Sequence, residues 1–501
     1  MLGAYGGTEF ETPNIDAFAR KSIRFNNHFA GSLPCMPARH DMLTGALDFL
    51  WRPWGSIEIW EHSITWYLSR IGVTSKLVTD HPHLFESGGE NYHTDFSAWD
   101  YQRGHESDPW RTRPDPSWIG APSFGRGHMP YDNSRGWFTS ESDFPGPRTM
   151  AEAARWIEEE SPGPEDQERY FLFVDEFDPH EPFDTPEPYA SMYDNSWEGP
   201  HLIWPPYAVG AKEKGLLGED EARQIRASYG AKLTMIDHWF GRLIEAIEKK
   251  GLMDSTAVIL CTDHGHYLGE HDTWGKPACP LYEPLAHTPM LISWPGVEPG
   301  VRDALTTNVD IFATVAEIFE VTGKIEHRTH GKPLQDVISD PTARIRDYAL
   351  AGVWSREVHV IAGPGVIGSQ GSAATAAPTK YARAPEVENA PLSIWSNRWS
   401  TMPVPQVPGL ELPRPDGRAS LKSMPGSEIP VICQPFQPGD VLPYWAFGRF
   451  NGNHLFALGD DPEEERNLAG STTETEAADL LRSALEDVEA PADQFARLGV
   501  A

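Results

Sequence analysis

The chain has 501 residues, of which 40% are hydrophobic and 23% charged, so it can bury a large core and form more than one subdomain. Its 73 acidic and 41 basic side chains give a net charge of −32. Such a field repels nucleic acid and anionic membranes, and we exclude both as partners. The sequence contains no apolar run of about 18 residues, so we predict no transmembrane helix. Four scattered cysteines offer no disulfide framework and favour a reduced, cytoplasmic setting.

The spacing of apolar residues predicts the secondary structure in chain order. Helices are predicted at residues 14–24, 147–160, 219–249 and 473–488, with a further helix beginning at Asn308. Strands are predicted at 72–78, 170–177, 257–260 and 289–292, with edge strands within 444–458. We interpret residues 84–145 as long loops. The composition of residues 356–440, rich in Pro, Gly and Ala, predicts an irregular and partly mobile excursion.

A cysteine between two prolines opens a further short helix. Pro34 and Pro37 flank Cys35, and Gly45 follows the helix-compatible residues. Proline is favoured in the first turn of a helix and glycine just past its end, so the cysteine is predicted to stand at a helix N-terminus. Backbone N–H groups gather around anions at such a place, and Arg39 would project toward the same anion. A nucleophile, a cation and a helix N-terminus together suit attack on an oxyanion ester.

Two predicted strands end in polar residues that suit a ligand site. Strand 170–177 is followed by His180, and strand 257–260 is followed by Asp263 and His264. In open α/β sheets, ligands bind beyond the carboxyl ends of the strands. A carboxylate beside an imidazole suits a divalent cation, so Asp263 and His264 are candidate metal ligands.

Cys35 to Arg39 reads C-x-P-x-R, and the far segment Cys261 to His271 contains Asp-His-Gly and is followed by Gly275-Lys276. Together these segments resemble the sulfatase family of the alkaline phosphatase superfamily. The resemblance implies an α/β sandwich whose central mixed, mostly parallel sheet is flanked by helices. It also implies a catalytic domain at 1–345 and a smaller C-terminal subdomain, with a short antiparallel sheet, at 346–501.

The resemblance also implies the chemistry. A formylglycine-generating enzyme would oxidise Cys35 to formylglycine (3-oxoalanine), whose hydrated form would be the nucleophile. Cys35, Asp263 and His264 would bind Ca²⁺, or Mg²⁺ or Mn²⁺ in its place. Arg39 would hold the modified side chain, while Lys276 and His180 would stabilise charge on the sulfate and the leaving oxygen.

The sequence departs from the family pattern in two places. The family's GK-x-H segment is missing, and Asp80 stands near the place of its lysine. His81 and His83 are two apart, and an extended backbone would point both to one face. They either replace the family pair or are ordinary loop histidines. The family's first strand, which ends in two metal-binding aspartates, is also missing before Met1. We favour a start codon placed too far downstream over a true loss of these ligands.

The function implied by the resemblance is hydrolysis of a small sulfate ester. One alternative is a phosphonate monoester or phosphodiester hydrolase of the same superfamily, which shares the fold, the formylglycine and the metal. Another is a metal-poor, non-catalytic protein that binds sulfated ligands, because the aspartate pair is missing.

Overall fold

The structure, a computed structural model, describes residues 1–113, 129–277, 279–367, 377–386, 391–399, 414–442 and 452–501. The helices are α1 Pro13–Ala19, α2 Cys35–Thr44, α3 Ile64–Ser69, α4 Met129–Arg135, α5 Pro145–Glu159, α6 Glu219–Lys249, α7 Glu283–Ala286, α8 Val309–Ile318, α9 Gln335–Ser339, α10 Thr472–Asp487 and α11 Ala492–Arg497. The strands are β1 Ile23–Phe29, β2 Thr74–Thr79, β3 Ala98–Tyr101, β4 Tyr170–Asp175, β5 Ala208–Val209, β6 Val258–Cys261, β7 Tyr267–Leu268, β8 Thr273–Gly275, β9 Met290–Ser293, β10 Gly300–Thr307, β11 Tyr348–Gly352, β12 Val358–Ala362, β13 Thr379–Arg383, β14 Leu392–Trp395, β15 Ser420–Ser423, β16 Pro430–Phe436 and β17 His454–Ala457.

The N-terminal part is built on two groups of strands. In the first, the strand order is β10-β1-β9-β6; β1 runs parallel to β10 and antiparallel to β9, which is also antiparallel to β6. In the second, the order is β3-β2-β4 and both pairings are parallel. The first group is mixed and the second is parallel, so three of these five strand pairings are parallel, which agrees with the mixed, mostly parallel arrangement that the resemblance implied.

The long helix α6 organises one face of these strands. Its apolar stripe, including Leu243 and Ile247, packs in one core cluster with residues of α1 and α5. Its Asp237 side chain accepts hydrogen bonds from the backbone N–H groups of Asn14 at 3.1 Å and Ile15 at 2.7 Å, which fixes the start of α1. The bounds of α6 agree with the predicted helix at 219–249. None of the described helices combines the length and apolar character that crossing a bilayer requires.

The C-terminal part contains antiparallel sheets. One has the order β11-β12-β13-β17, and another has the order β14-β16-β15. Helix α10 packs Leu481 and Leu485 in the same core as Val358 and Val360 of β12. In the described parts of 356–440, these strands correct the prediction of an irregular excursion, because apolar residues of β12 to β14 are buried despite the Pro- and Gly-rich composition. Residues 368–376, 387–390 and 400–413 lie outside the described part. The domain boundary at 345/346 stays a prediction.

Three other predicted elements differ from the structure. The helix predicted at 14–24 ends at Ala19, because Ile23 and Phe25 belong to the buried strand β1. The loops predicted at 84–145 contain β3 and α4. Of the edge strands predicted within 444–458, the structure describes β17, and residues 443–451 lie outside the described part.

Strands β4 and β6 lie at the edges where the two groups of strands approach each other. The hydroxyl groups of Tyr170, at the start of β4, and Thr256, just before β6, are 3.1 Å apart. At the other end, Arg39 hydrogen bonds to both Asp175 of β4 and Asp263 beyond β6. Among the described residues, neither strand has a backbone partner on its second side. The carboxyl ends of β4 and β6 therefore meet around the start of α2, and this junction positions the candidate site.

Candidate active site

Helix α2 begins at Cys35 and carries it into the interior. All ten residues of the helix are buried, and the Cys35 side chain is 2% exposed. The helix stops at Gly45, whose φ of 74° is the left-handed conformation that glycine adopts without strain. Within the helix, the Asp41 carboxylate accepts hydrogen bonds from the backbone N–H of Ser32, in the loop before α2, at 2.6 Å and from the Ser32 hydroxyl at 2.7 Å. This loop-to-helix bond fixes the thiol in place, and the helix has the predicted limits.

The two segments that carry the resemblance meet at this thiol. One ligand atom each from Cys35, Asp263 and His264 lies within 4.8 Å of the others. His264 donates through Nδ1 to the backbone carbonyl of Gly265 at 2.8 Å, which leaves the Nε2 lone pair facing the Cys35 Sγ at 3.3 Å. Burial lowers the pKa of His264 and so favours its neutral, ligating form. The structure thus brings the three predicted metal ligands together.

These donors fit a divalent cation. A neutral imidazole, a carboxylate and a sulfur or oxygen atom at position 35 are all common metal ligands. Ca²⁺ takes about six to eight oxygen ligands, so the described cluster supplies only part of a calcium shell. The carboxylate of Asp263 suits Mg²⁺, Ca²⁺ or Mn²⁺, whereas an imidazole ligand is more typical of ions such as Zn²⁺.

Arg39 is held by carboxylates. Its guanidinium donates to Asp175 at 2.7 Å, to Asp263 at 2.6 Å and to the carbonyl of Cys35 at 3.2 Å. Burial raises the pKa of Asp175, but the charge of Arg39 outweighs burial and holds that pKa below its ordinary value. The anions that Arg39 contacts in the structure are the protein's own carboxylates, and its approach to a substrate anion stays a prediction. Arg39 positions the metal-ligand candidate Asp263 against Cys35.

Lys276 and His180 form the second half of the site. The antiparallel strands β7 and β8 form a hairpin that ends beside Lys276, and its Nζ donates to His180 Nε2 at 2.6 Å. His180 Nδ1 donates to the backbone carbonyl of Glu181 at 2.8 Å, so its Nε2 is the acceptor. Burial lowers the pKa of His180 well below its ordinary value, and the charge of Lys276 lowers it further. His180 is therefore neutral, and Lys276 carries the positive charge.

Glu181 completes this group. Its carboxylate lies 3.8 Å from the Lys276 Nζ and accepts a hydrogen bond from the Tyr207 hydroxyl. Burial lowers the pKa of Lys276, but the charge of Glu181 and the other nearby anions outweighs burial and raises it. Lys276 also acts electrostatically on the Cys35 thiol, although burial dominates there and raises the thiol pKa to about 12. An unmodified Cys35 is thus a neutral thiol and a poor nucleophile.

His81 and His83 lie side by side near this centre, with ring centroids 5.1 Å apart. The backbone at Pro82–Phe85 is a short 3-10 helix and not the extended chain that the sequence suggested. His81 hydrogen bonds to Asp175 at 3.3 Å, and His83 lies 3.3 Å from Glu106. Burial lowers the pKa of His83, but Glu106 outweighs burial and raises it to about 9. A direct role for these histidines in binding sulfate stays a prediction.

Sequence reasoning missed three acidic residues of the site. Asp175 is the last residue of β4, so the rule that ligands lie at strand ends could have found it. Glu181 adjoins His180 in the sequence, and this position indicates a site residue less clearly than the strand end does for Asp175. Glu106 lies in a loop with a φ of 42°, and its approach to His83 depends on tertiary structure alone.

The comparison with known proteins decides the family. The family model described as Sulfatase matches residues 1–321, well over half of the chain. The chain belongs to the sulfatase family. It is 27% identical over 336 residues to the choline-sulfatase of Rhizobium meliloti (strain 1021), a match that covers 61% of this chain and 62% of that protein. The chain therefore spans less than two thirds of the length of this sulfatase.

Solved structures of other proteins share the fold. A protein in complex with its substrate D-glucosamine-2-N,6-O-disulfate has a TM-score of 0.63 at 15% identity, with 98% of this chain and 96% of that chain covered. The phosphonate monoester hydrolase of Agrobacterium radiobacter has a TM-score of 0.59 at 19% identity, with coverages of 98% and 92%. At these identities the likeness shows the fold alone. It confirms the predicted α/β sandwich with its mixed sheet and antiparallel C-terminal sheet.

Proposed function

We propose that this member of the sulfatase family hydrolyses a small sulfate ester. The observation that carries the proposal is the meeting of Cys35, Asp263 and His264 at the start of α2, with the cation of Lys276 acting on the same thiol. A divalent cation and a formylglycine made from Cys35, each bound or formed at these residues, would supply a nucleophilic oxygen in place of the neutral thiol. The cation would be Mg²⁺, Mn²⁺ or Ca²⁺.

Other side chains of the chain would stabilise charge, supply the proton and position the metal ligands. Lys276 stays protonated beside Glu181 and stabilises negative charge that develops on the sulfate and the leaving oxygen. His180 has no proton to give, since its Nδ1–H is bound to a carbonyl and its Nε2 accepts from Lys276. The proton for the leaving oxygen would come from Lys276 or from a loop histidine. Of the two loop histidines, His83 is the protonated one, because burial lowers its pKa but Glu106 outweighs burial and raises that pKa to about 9. Arg39 keeps Asp263 oriented through its hydrogen bond, and His81 supports Arg39 through Asp175.

The second candidate is a phosphonate monoester or phosphodiester hydrolase, which the fold shared with the Agrobacterium enzyme favours. Both reactions place negative charge on oxygens of a tetrahedral centre, so Lys276 would serve either. Turnover of an aryl sulfate and of an aryl phosphonate by the same preparation distinguishes them. A ratio of kcat/KM values above one for the sulfate supports the proposal. A ratio below one supports the second candidate, and binding of sulfated ligands without turnover of either ester supports a non-catalytic protein.

The conversion of Cys35 is tested by mass spectrometry of the peptide that covers residues 25–39. We expect an aldehyde in place of the thiol when the chain is produced with a formylglycine-generating enzyme, which we propose as its partner. Cys35→Ala should abolish turnover and leave the fold intact. Cys433→Ala is the matched control, since Cys433 is another buried thiol, on β16 in the C-terminal part. Full activity of Cys35→Ala would exclude this mechanism.

We also propose that the protein works in the cytoplasm. All four cysteines are free thiols, which agrees with a reducing compartment. Fractionation of the native host, followed by detection of the protein in each fraction, tests this assignment.

A further inference from the structure

A second group of metal-binding side chains lies behind the active-site histidines. Asp80 follows β2, Asp178 follows β4, and His105 comes from the loop after β3. One ligand atom of each lies within 4.8 Å of the others. The three residues are 0%, 7% and 1% exposed, respectively. The ring of Phe177 stands between this group and Arg39, with its centroid 5.0 Å from the ring of His105 and 5.6 Å from the guanidinium carbon.

One polar atom of each of the three side chains is hydrogen bonded within the protein. Asp80 Oδ1 accepts the backbone N–H of Phe177 at 2.9 Å. Asp178 Oδ1 accepts from His105 Nε2 at 2.7 Å and from Lys232 Nζ at 2.9 Å. The other atoms, Asp80 Oδ2, Asp178 Oδ2 and His105 Nδ1, are buried and have no hydrogen-bond partner among the described residues. Buried polar atoms are almost always paired, so three unpaired atoms in one group indicate a missing ligand.

The charges around the group favour a cation. Glu176 is a third carboxylate here, bound to the backbone N–H of Asp178 at 3.1 Å. A Cβ atom on Gly146, at the start of α5, would collide with oxygens of both Glu176 and Asp178, so these oxygens converge on one point. Lys232 forms an ion pair with Asp178, whereas Asp80 and Glu176 form no ion pair among the described residues. Arg148 acts on Asp80 without forming an ion pair, and its guanidinium is bound to the carbonyl of Arg103.

We propose that Asp80, His105 and Asp178 hold a second divalent cation, of the Mn²⁺ or Zn²⁺ class. Two carboxylates and one imidazole are a donor set that these ions prefer, whereas Ca²⁺ would need more oxygens. The ion would tie the carboxyl end of β2 to that of β4. His81 directly follows Asp80 and His180 lies two residues beyond Asp178, so the ion would fix the backbone that presents both histidines. This site is separate from the cluster at Cys35 and goes beyond the proposed function.

The test uses protein in which the first cluster has been removed by Cys35→Ala and Asp263→Asn together. After incubation with MnCl₂ and desalting, we expect one manganese per chain by plasma mass spectrometry. Adding Asp80→Asn should weaken manganese binding at least tenfold and remove the rise in melting temperature that manganese produces. Because this background is catalytically dead, the result is independent of whether the proposed function is correct.

A second variant guards against a folding failure. His105→Gln keeps both carboxylates, and with Co²⁺ as the probe it should change the visible absorption spectrum, because a nitrogen ligand is lost. Unchanged manganese content in Asp80→Asn, or no manganese in the background protein, would overturn the proposal.

Discussion

His40, on the buried face of α2, couples the stability of the protein to pH. Its Nε2 lies 2.7 Å from the Glu61 carboxylate, its Nδ1 lies 4.0 Å from Asp48, and Arg52 is the neighbouring cation. Burial lowers the pKa of His40, but Asp48 and Glu61 outweigh burial and raise it to about 9. The imidazolium ion is therefore the stable form in the folded protein at neutral pH.

The magnitude follows from this pKa. An unfolded histidine titrates near 6.5, so a folded pKa of about 9 contributes about 3 kcal/mol to the free energy of unfolding. The sign is set by the raised pKa: the contribution is fully present below pH 6.5 and is lost as pH rises through 9. In His40→Gln this contribution is absent at every pH.

Urea unfolding at several pH values from 6 to 9.5 measures the effect. The difference in unfolding free energy between the native protein and His40→Gln should shrink by about 3 kcal/mol across this range. His238→Gln is the matched control, because His238 is exposed on α6 and should leave the pH dependence unchanged. A difference that stays constant with pH would refute the reasoning.

Three further predictions concern the site and its supports. Lys276→Met should lower kcat for an aryl sulfate by about 10² to 10³, because the charge on the leaving oxygen loses its partner, and a loss below fivefold would contradict the role given to Lys276. Asp41→Ala should lower the free energy of unfolding in urea by about 2 to 4 kcal/mol, because both hydrogen-bond donors of Ser32 lose their buried acceptor. Asp237→Ala should cost about 1 to 2 kcal/mol and speed hydrogen exchange in α1, since the N–H groups at its start lose their acceptor. Unchanged exchange in α1 would show that Asp237 does not cap it.

Local signals were enough to predict part of the site. The proline and glycine around α2 specified the helix and its limits, because these residues restrict the backbone whatever surrounds them. Asp263, His264 and His180 could be found because they follow apolar segments that form strands. The pairing of Lys276 with His180 joins residues 96 positions apart, and the sequence supplied only a resemblance for it.

The features that the sequence did not predict depend on tertiary contacts. Asp175 of β4 forms an ion pair with Arg39, and no local pattern shows which carboxylate a buried arginine will contact. The second group at Asp80, His105 and Asp178 combines three separate segments and has no sequence spacing typical of a metal site. Likewise, β12 and β13 are stabilised by burial against α10, which overrides a composition that favours loops.

The complete burial of α2 has a consequence for the order of events during synthesis. In the folded chain Cys35 is only 2% exposed, so another enzyme cannot enclose this residue in its own active site. Any conversion of this residue must act on a nascent, still extended polypeptide. The fraction of molecules in which Cys35 is converted would then depend on the rate of that reaction relative to the rate of folding. Slower translation or cooler growth should therefore raise the specific activity of a purified preparation.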